Sequence, residues 1–275
     1  MREAIVLLLT LLLGLGLLTG CTARTGSAEP AASASAPGPE ESTPDRSADG
    51  SAETSTQTGE SSASEPLTAE GPASPDWVQK LPQAQEAEQL FVVAATDLNT
   101  AQVSLHQRDG AGTWRELLHT TGWIGKNGLG KEREGDGKTP VGTFRFNRAF
   151  GIAEDPGCAA FDYVQVNGNH YWSGDQREGM HYNELVDLRE LPDLDTAASE
   201  HIEDFWDQYQ YCLNISWNED GTPGKGSAIF LHCKGGSPYT GGCVALEREQ
   251  VAQVLRQVKR GCVVVIDSLE NLGGA

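Results

Sequence analysis

The first aromatic side chain of this sequence is Trp77. From Thr22 to Pro75 the chain is dominated by Ser, Ala, Thr, Glu, Pro and Gly, and its one large aliphatic side chain there is Leu67. Such a stretch cannot bury enough apolar surface to offset the entropy of ordering it, so residues 22–75 are expected to form a disordered linker. A coil of that length spans about 40 Å root-mean-square, and more if its acidic charges repel one another. Any core is thereby confined to residues 76–275, which are enough to enclose one. The hydrophobic fraction of 38% reflects dilution by a coreless segment. The net charge of −19, with no basic stripe anywhere, excludes a nucleic-acid partner, because phosphate contacts need clustered Lys and Arg.

The segment before the linker reads as an address. Arg2 precedes an apolar run from Ala4 to Leu18, followed by Leu18-Thr19-Gly20-Cys21. A basic start, a short apolar stretch and small residues at its end make a secretory signal over residues 1–21. The run is short for a spanning helix. Leu-Thr-Gly-Cys is similar to a bacterial lipobox, which implies lipidation of Cys21 and an extracytoplasmic protein anchored to the membrane without crossing it.

Within residues 76–275 the β signals dominate. Leu90–Thr96 and Ala101–Gln107 read as two strands joined by a turn at Leu98-Asn99-Thr100. Further strands are expected at Gly142–Phe146, Tyr163–Val166, Tyr211–Trp217, Ser227–Cys233 and Cys262–Ile266. One clear helix is expected over Leu246–Arg260, where Val251, Val254, Leu255 and Val258 form an i, i+3, i+4, i+7 stripe and Gly261 follows as a stop. A weaker helical pattern covers Thr196–Asp207. The pattern predicts a mostly β domain with few helices.

Five cysteines follow Cys21: Cys158, Cys212, Cys233, Cys243 and Cys262. In an oxidising compartment an odd count leaves at least one free thiol. Cys158 with Cys212 is the expected bridge. Cys243 differs in setting, because Thr240-Gly241-Gly242-Cys243 is a small-residue turn through which a backbone can approach a ligand. Strand alternation places Ala228, Phe230 and His232 on one face and Ile229, Leu231 and Cys233 on the other. A chain leaving that strand through Lys234–Tyr239 can return Cys243 against His232. A thiol beside an imidazole can form a thiolate–imidazolium pair with a lowered thiol pKa, and the amides of Gly242 and Cys243 could face an oxyanion. Taken alone, His-x10-Cys fits a core histidine equally well.

Two segments add a resemblance. Gly130-Lys-Glu-Arg-Glu-Gly-Asp-Gly-Lys-Thr-Pro-Val-Gly-Thr-Phe144 resembles the opening motif of the L,D-transpeptidase (YkuD-type) catalytic domain, and Phe230-Leu231-His232 with Thr240-Gly241-Gly242-Cys243-Val244 resembles its active-site motif. The resemblance spans roughly residues 90–267. It implies a β-sandwich-like domain with a small helical component, with Cys243 as nucleophile, His232 as base and the Cys233 carbonyl orienting the imidazole. The implied reaction is cysteine acyl transfer on peptidoglycan stem peptides: D-Ala is released from a tetrapeptide and a neighbouring stem is joined, with no cofactor or metal. Hydrolysis at the same site, an L,D-carboxypeptidase, and a non-catalytic wall-binding lipoprotein are the alternatives. The sequence departs from the family's common pattern in a short His–Cys spacing, in Gly241 two before the cysteine, and in Ala245 two after it, where Arg or Asn is common.

Other residues carry weaker signals. Gly137-Lys138-Thr139 is not a phosphate loop, because the position six before Lys138 is Glu132 rather than Gly; a turn leading into a strand fits it instead. Thr240, Gly241 and Tyr239 beside the cysteine, with Trp172 and Asn183 from the intervening loops, are expected to line the substrate cleft. His201, amid Glu200, Glu203 and Asp204, reads as a solvated face. No Cys-x2-Cys or His-x3-His spacing suggests a metal.

Overall fold

A computed structural model describes residues 71–275. The expected signal, the expected lipidation site Cys21 and nearly all of the expected linker lie outside the described residues. Contacts with the sheet are made before Trp77: Ala73 pairs with Arg115, and the Ser74 amide donates to the Trp114 carbonyl at 2.9 Å. Ser74 is itself buried.

The chain is mostly β. A one-turn helix α1 (Asp76–Gln79) leads to β1 (Gln89–Ala95), β2 (Thr100–Arg108), β3 (Trp114–Trp123), β4 (Gly142–Gly151), β5 (Val164–Gln165), β6 (His170–Trp172), β7 (Leu185–Asp187), β8 (Glu200–His201), β9 (Cys212–Ile215), β10 (Phe230–Cys233) and β11 (Val244–Leu246). Helix α2 (Arg248–Gln257) and strand β12 (Val263–Ser268) complete it. The main sheet runs β12-β1-β2-β3-β11-β10-β9-β4-β5, and β12 also pairs with β4. The two layers of the sandwich are therefore halves of one sheet closed upon itself. Closure limits unpaired backbone groups, although β3 meets β11 only at Trp123 and Ala245, and β7-β6-β8 form a separate three-stranded sheet.

Period-2 alternation sorts side chains between the inside of this sheet and two outer faces. Phe91, Val103, Leu213, Leu231, Val244 and Val264 share the main core, joined by Val251, Val254, Leu255 and Val258 from the α2 stripe. Leu90, Val92 and Ala94 point outward beneath the 76–87 segment. Phe150, Cys212, Phe230 and Cys243 form a third cluster, roofed by Trp172, Ile202 and Tyr209 from the segment between β5 and β9.

Two expected helices are corrected. The Leu246–Arg260 pattern contracts to Arg248–Gln257, because Leu246 is a strand residue and Glu247 caps the helix through a reciprocal capping box with Gln250. Thr196–Asp207 is not an α-helix. Glu200–His201 pairs with β6 and Ile202–Phe205 makes one 3-10 turn, so a strand contact overrides the local pattern. The expected Cys158–Cys212 bridge is also corrected: both thiols are free, Cys158 packing into the main core and Cys212 into the outer cluster across the sheet.

Candidate active site

The parallel pairing of β10 with β11 builds the site. Its register sets His232 against Ala245 and Leu231 against Val244. Cys243, one residue before β11, falls beside Phe230, whose amide lies 3.3 Å from the Cys243 sulfur. Cys243 and His232 line one cleft of about 370 Å³, with Tyr239, Thr240, Gly241, Ala245, Glu200 and Tyr209 among its walls.

The thiol donates to the Ala228 carbonyl at 3.1 Å. Burial pushes its pKa up to about 12, against the hydrogen bond from Phe230. The His232 pKa is pulled down to about 4 by burial, against its hydrogen bond to Cys233. Both groups are therefore neutral at pH 7. The thiolate–imidazolium pair expected from sequence is not the form held here, because removing both groups from water disfavours both charges. The backbone carbonyl of Cys233 does lie where the resemblance placed it, 2.7 Å from His232 Nδ1. A carbonyl only accepts, so Nδ1 carries the proton and Nε2 is left with a free lone pair.

The Thr240–Cys243 turn is held from within and from outside. Thr240 Oγ1 donates to the Cys243 carbonyl at 2.7 Å and accepts from the Gly242 amide at 3.1 Å. That second bond corrects the expected role of Gly242: its amide is committed to Thr240, not free for an oxyanion. The Cys243 amide takes part in no hydrogen bond among the described residues. Thr139 Oγ1 donates to the Gly242 carbonyl at 2.8 Å and accepts from the Gly125 amide at 2.9 Å. The Gly-Lys-Thr-Pro segment thus buttresses the cysteine turn. Gly242 has φ +146°, and a Cβ there would stand 2.7 Å from the Lys138 carbonyl.

Of the expected cleft residues, Tyr239 (45% exposed), Thr240 and Gly241 line the cleft. Trp172 and Asn183 do not. They are buried behind it, where Asn183 Oδ1 accepts from Trp172 Nε1 at 2.9 Å and from the Ala228 amide at 3.0 Å. Asn183 thereby holds Ala228, at φ +55°, with its carbonyl facing the thiol. A left-handed non-glycine at such a place is strain maintained by its surroundings.

The structure adds residues that sequence patterns did not single out. Tyr209 stands edge-on to the His232 ring at 5.6 Å, and its hydroxyl donates to Glu200 Oε2 at 2.8 Å. Lys131, from the opening motif, pairs with Asp136 at 3.2 Å, both side chains nearly inaccessible. Sequence spacing did not find Glu200 or Tyr209: Glu200 falls within the Thr196–Asp207 pattern, where it reads as part of a solvated helical face, and Tyr209 lies just beyond that pattern.

The L,D-transpeptidase catalytic domain family (YkuD) matches residues 92–266. The chain belongs to that family. Among solved structures, this L,D-transpeptidase-family chain is similar to the helical cell shape determining protein Pgp2 from Campylobacter jejuni, at 19% identity and TM-score 0.35, over 66% of this chain and 48% of that one. It is also similar to an L,D-transpeptidase from Mycobacterium smegmatis, at 15% identity and TM-score 0.29, over 66% of this chain and 59% of that one. The chain thus spans about half the length of each. No curated protein matches it.

Proposed function

We propose that this protein is a peptidoglycan L,D-transpeptidase working through a thioester on Cys243. The observation that carries the reading is an imidazole on β10, with Nε2 as its acceptor, and a thiol at the residue before β11, both lining one cleft in a chain of this family. Cys243 Sγ attacks the carbonyl preceding the terminal D-Ala of a stem tetrapeptide while its proton passes to His232 Nε2. The resulting imidazolium protonates the departing D-Ala nitrogen, so the pair is charged only transiently. With the Gly242 amide committed, the Cys243 amide is the oxyanion donor. Tyr239 and Gly241 flank the donor peptide. Ala245 offers no cation, and Lys126 on the same wall takes the substrate carboxylate instead. A second stem's amine resolves the thioester. In the cell, lipidation at Cys21 and the 22–75 linker would hold this domain outside the cytoplasmic membrane and within reach of the wall.

The test is incubation of purified protein with tetrapeptide muropeptides. Cross-linked dimers that vanish in Cys243→Ala support transfer. Tripeptide without dimers identifies an L,D-carboxypeptidase on the same site. Unchanged tetrapeptide removes the catalytic reading and leaves a wall-binding lipoprotein.

A further inference from the structure

The steps above leave the carboxylate of Glu200 without a task. It shares the cleft with Cys243 and His232, held there because Glu200 pairs with Trp172 of β6. Its Oε2 accepts from Tyr209, whose ring packs against His232. Its Oε1 has no hydrogen-bond partner and the group no ion pair among the described residues. Of the other charged groups lining the cleft, the exposed Lys126 has no side-chain partner among the described residues, and the remaining two are occupied. Lys131 is bound to Asp136, and Glu134 Oε2 accepts from Tyr182 at 3.0 Å and Ser227 at 3.1 Å. Burial raises the Glu200 pKa, with a smaller contribution from Glu134.

We infer that Glu200 takes the first proton from the incoming ammonium of the acyl acceptor, and so sets how the thioester divides between amine transfer and hydrolysis. The inference rests on the thioester reading of Cys243. After D-Ala leaves, carrying the thiol proton, the thioester stands beside a neutral His232. An acceptor R–NH3+ must lose two protons to become an amide. Glu200 takes the first and becomes a carboxylic acid, freeing the nitrogen lone pair. That nitrogen attacks the thioester carbon, and His232 Nε2 takes the second proton. The C–S bond then breaks with its electron pair on Sγ, His232 returns its proton to Sγ, and Glu200 releases its own to solvent. A lysine-like amine holds its proton to about pH 10 in water. Entry into a buried site lowers that value while burial raises the carboxylate's, so the gap between them narrows. Water arrives neutral and needs His232 alone.

The experiment compares two acceptors on the same thioester. Full-length protein is given tetrapeptide muropeptide as donor and ammonium acceptor, with and without hydroxylamine, which is already neutral at pH 7. The readout is the ratio of dimer to hydroxamate. In Glu200→Gln, whose amide oxygen can still accept from Tyr209, the ratio is expected to fall by about 100-fold, the scale of a lost general base. Glu200→Asp should lie between the two, and it carries the same test if Glu200→Gln does not fold. A wild-type ratio in either variant overturns the inference. A parallel loss of both products, leaving the ratio intact, also overturns it, since that marks a purely structural role. Absence of hydroxamate and of an acyl-enzyme mass in the wild-type protein instead overturns the thioester reading, and this inference with it.

Discussion

His232 Nδ1 donates to the carbonyl of Cys233, the next residue in the chain, at 2.7 Å. The bond fixes the tautomer of a ring that lines the cleft, leaving Nε2 as the acceptor, without the carboxylate that orients many catalytic histidines. His232→Gln can keep a donor toward that carbonyl while removing the base. The expected result is a folded protein whose rate of thioester formation drops by about 100-fold or more. Single-turnover mass spectrometry of the acyl-enzyme measures it.

The buried neutral thiol makes a prediction opposite to that for an ion-paired cysteine. With its pKa near 12, Cys243 should alkylate slowly at pH 7, and its rate should climb through pH 9 without levelling. A plateau beginning near pH 6 would show a thiolate–imidazolium pair in the resting protein. Peptide mapping after iodoacetamide treatment separates Cys243 from the other buried thiols. The same digest, made from unfolded and unreduced protein, should show Cys158 and Cys212 both alkylated, as their free state requires.

What the sequence discloses here follows from how local each signal is. The hairpin of β1 and β2 and the α2 stripe were legible because alternation and helical period are written in consecutive residues. The outward face of His232 followed from the same alternation. Closure of the sheet was not legible, since the β12–β4 pairing joins segments about 120 residues apart and leaves no local mark. Trp172 and Asn183 were misplaced because polar and aromatic loop residues look alike in sequence whether they line a cleft or support one. The ionisation of Cys243 depends on how completely the 164–209 segment covers it, a property of packing alone.

Gly241 and Gly242 are adjacent and should respond oppositely to a methyl group. Gly242→Ala forces a Cβ against the Lys138 carbonyl at 2.7 Å in a conformation reserved for glycine. We expect about 2 kcal/mol of destabilisation and loss of thioester formation, as the cysteine turn shifts. Gly241→Ala meets nothing within 4 Å and should leave the melting temperature within the scatter of surface substitutions. Thermal unfolding of the two variants side by side provides the check.

Asp136 organises the wall that supports the cysteine turn. Burial pushes its pKa up, but the amides of Glu132, Arg133 and Lys138 and the Lys131 ammonium outweigh it and bring the value down to about 2. Asp136→Asn strands the Lys131 charge in a site where both side chains are almost inaccessible. The expected cost is about 3–5 kcal/mol. Lys131→Met added to Asp136→Asn should recover part of that cost, because the stranded charge is then gone. Urea midpoints of the single and double variants decide the matter.

Two buried histidines should make this fold sensitive to mild acid. His106, held between Ser74 Oγ at 2.9 Å and Ser104 Oγ at 2.7 Å, is pulled down to about 4 by burial and by the nearby His119. His232 lies at about 4 through burial. In the unfolded chain each protonates near 6.5. Above pH 6.5 both states are neutral and neither histidine contributes a pH dependence. Between pH 6.5 and 4 the unfolded state binds the protons, so stability falls as pH falls, by on the order of 3 kcal/mol per histidine at the lower end. Below pH 4 the folded histidines protonate too and this contribution levels off. His106→Gln, which retains a donor and an acceptor toward the two serines, should remove about half of the slope between pH 6.5 and 5. Urea unfolding of wild type and variant across that window tests it, and equal slopes would show that His106 is protonated in the folded protein.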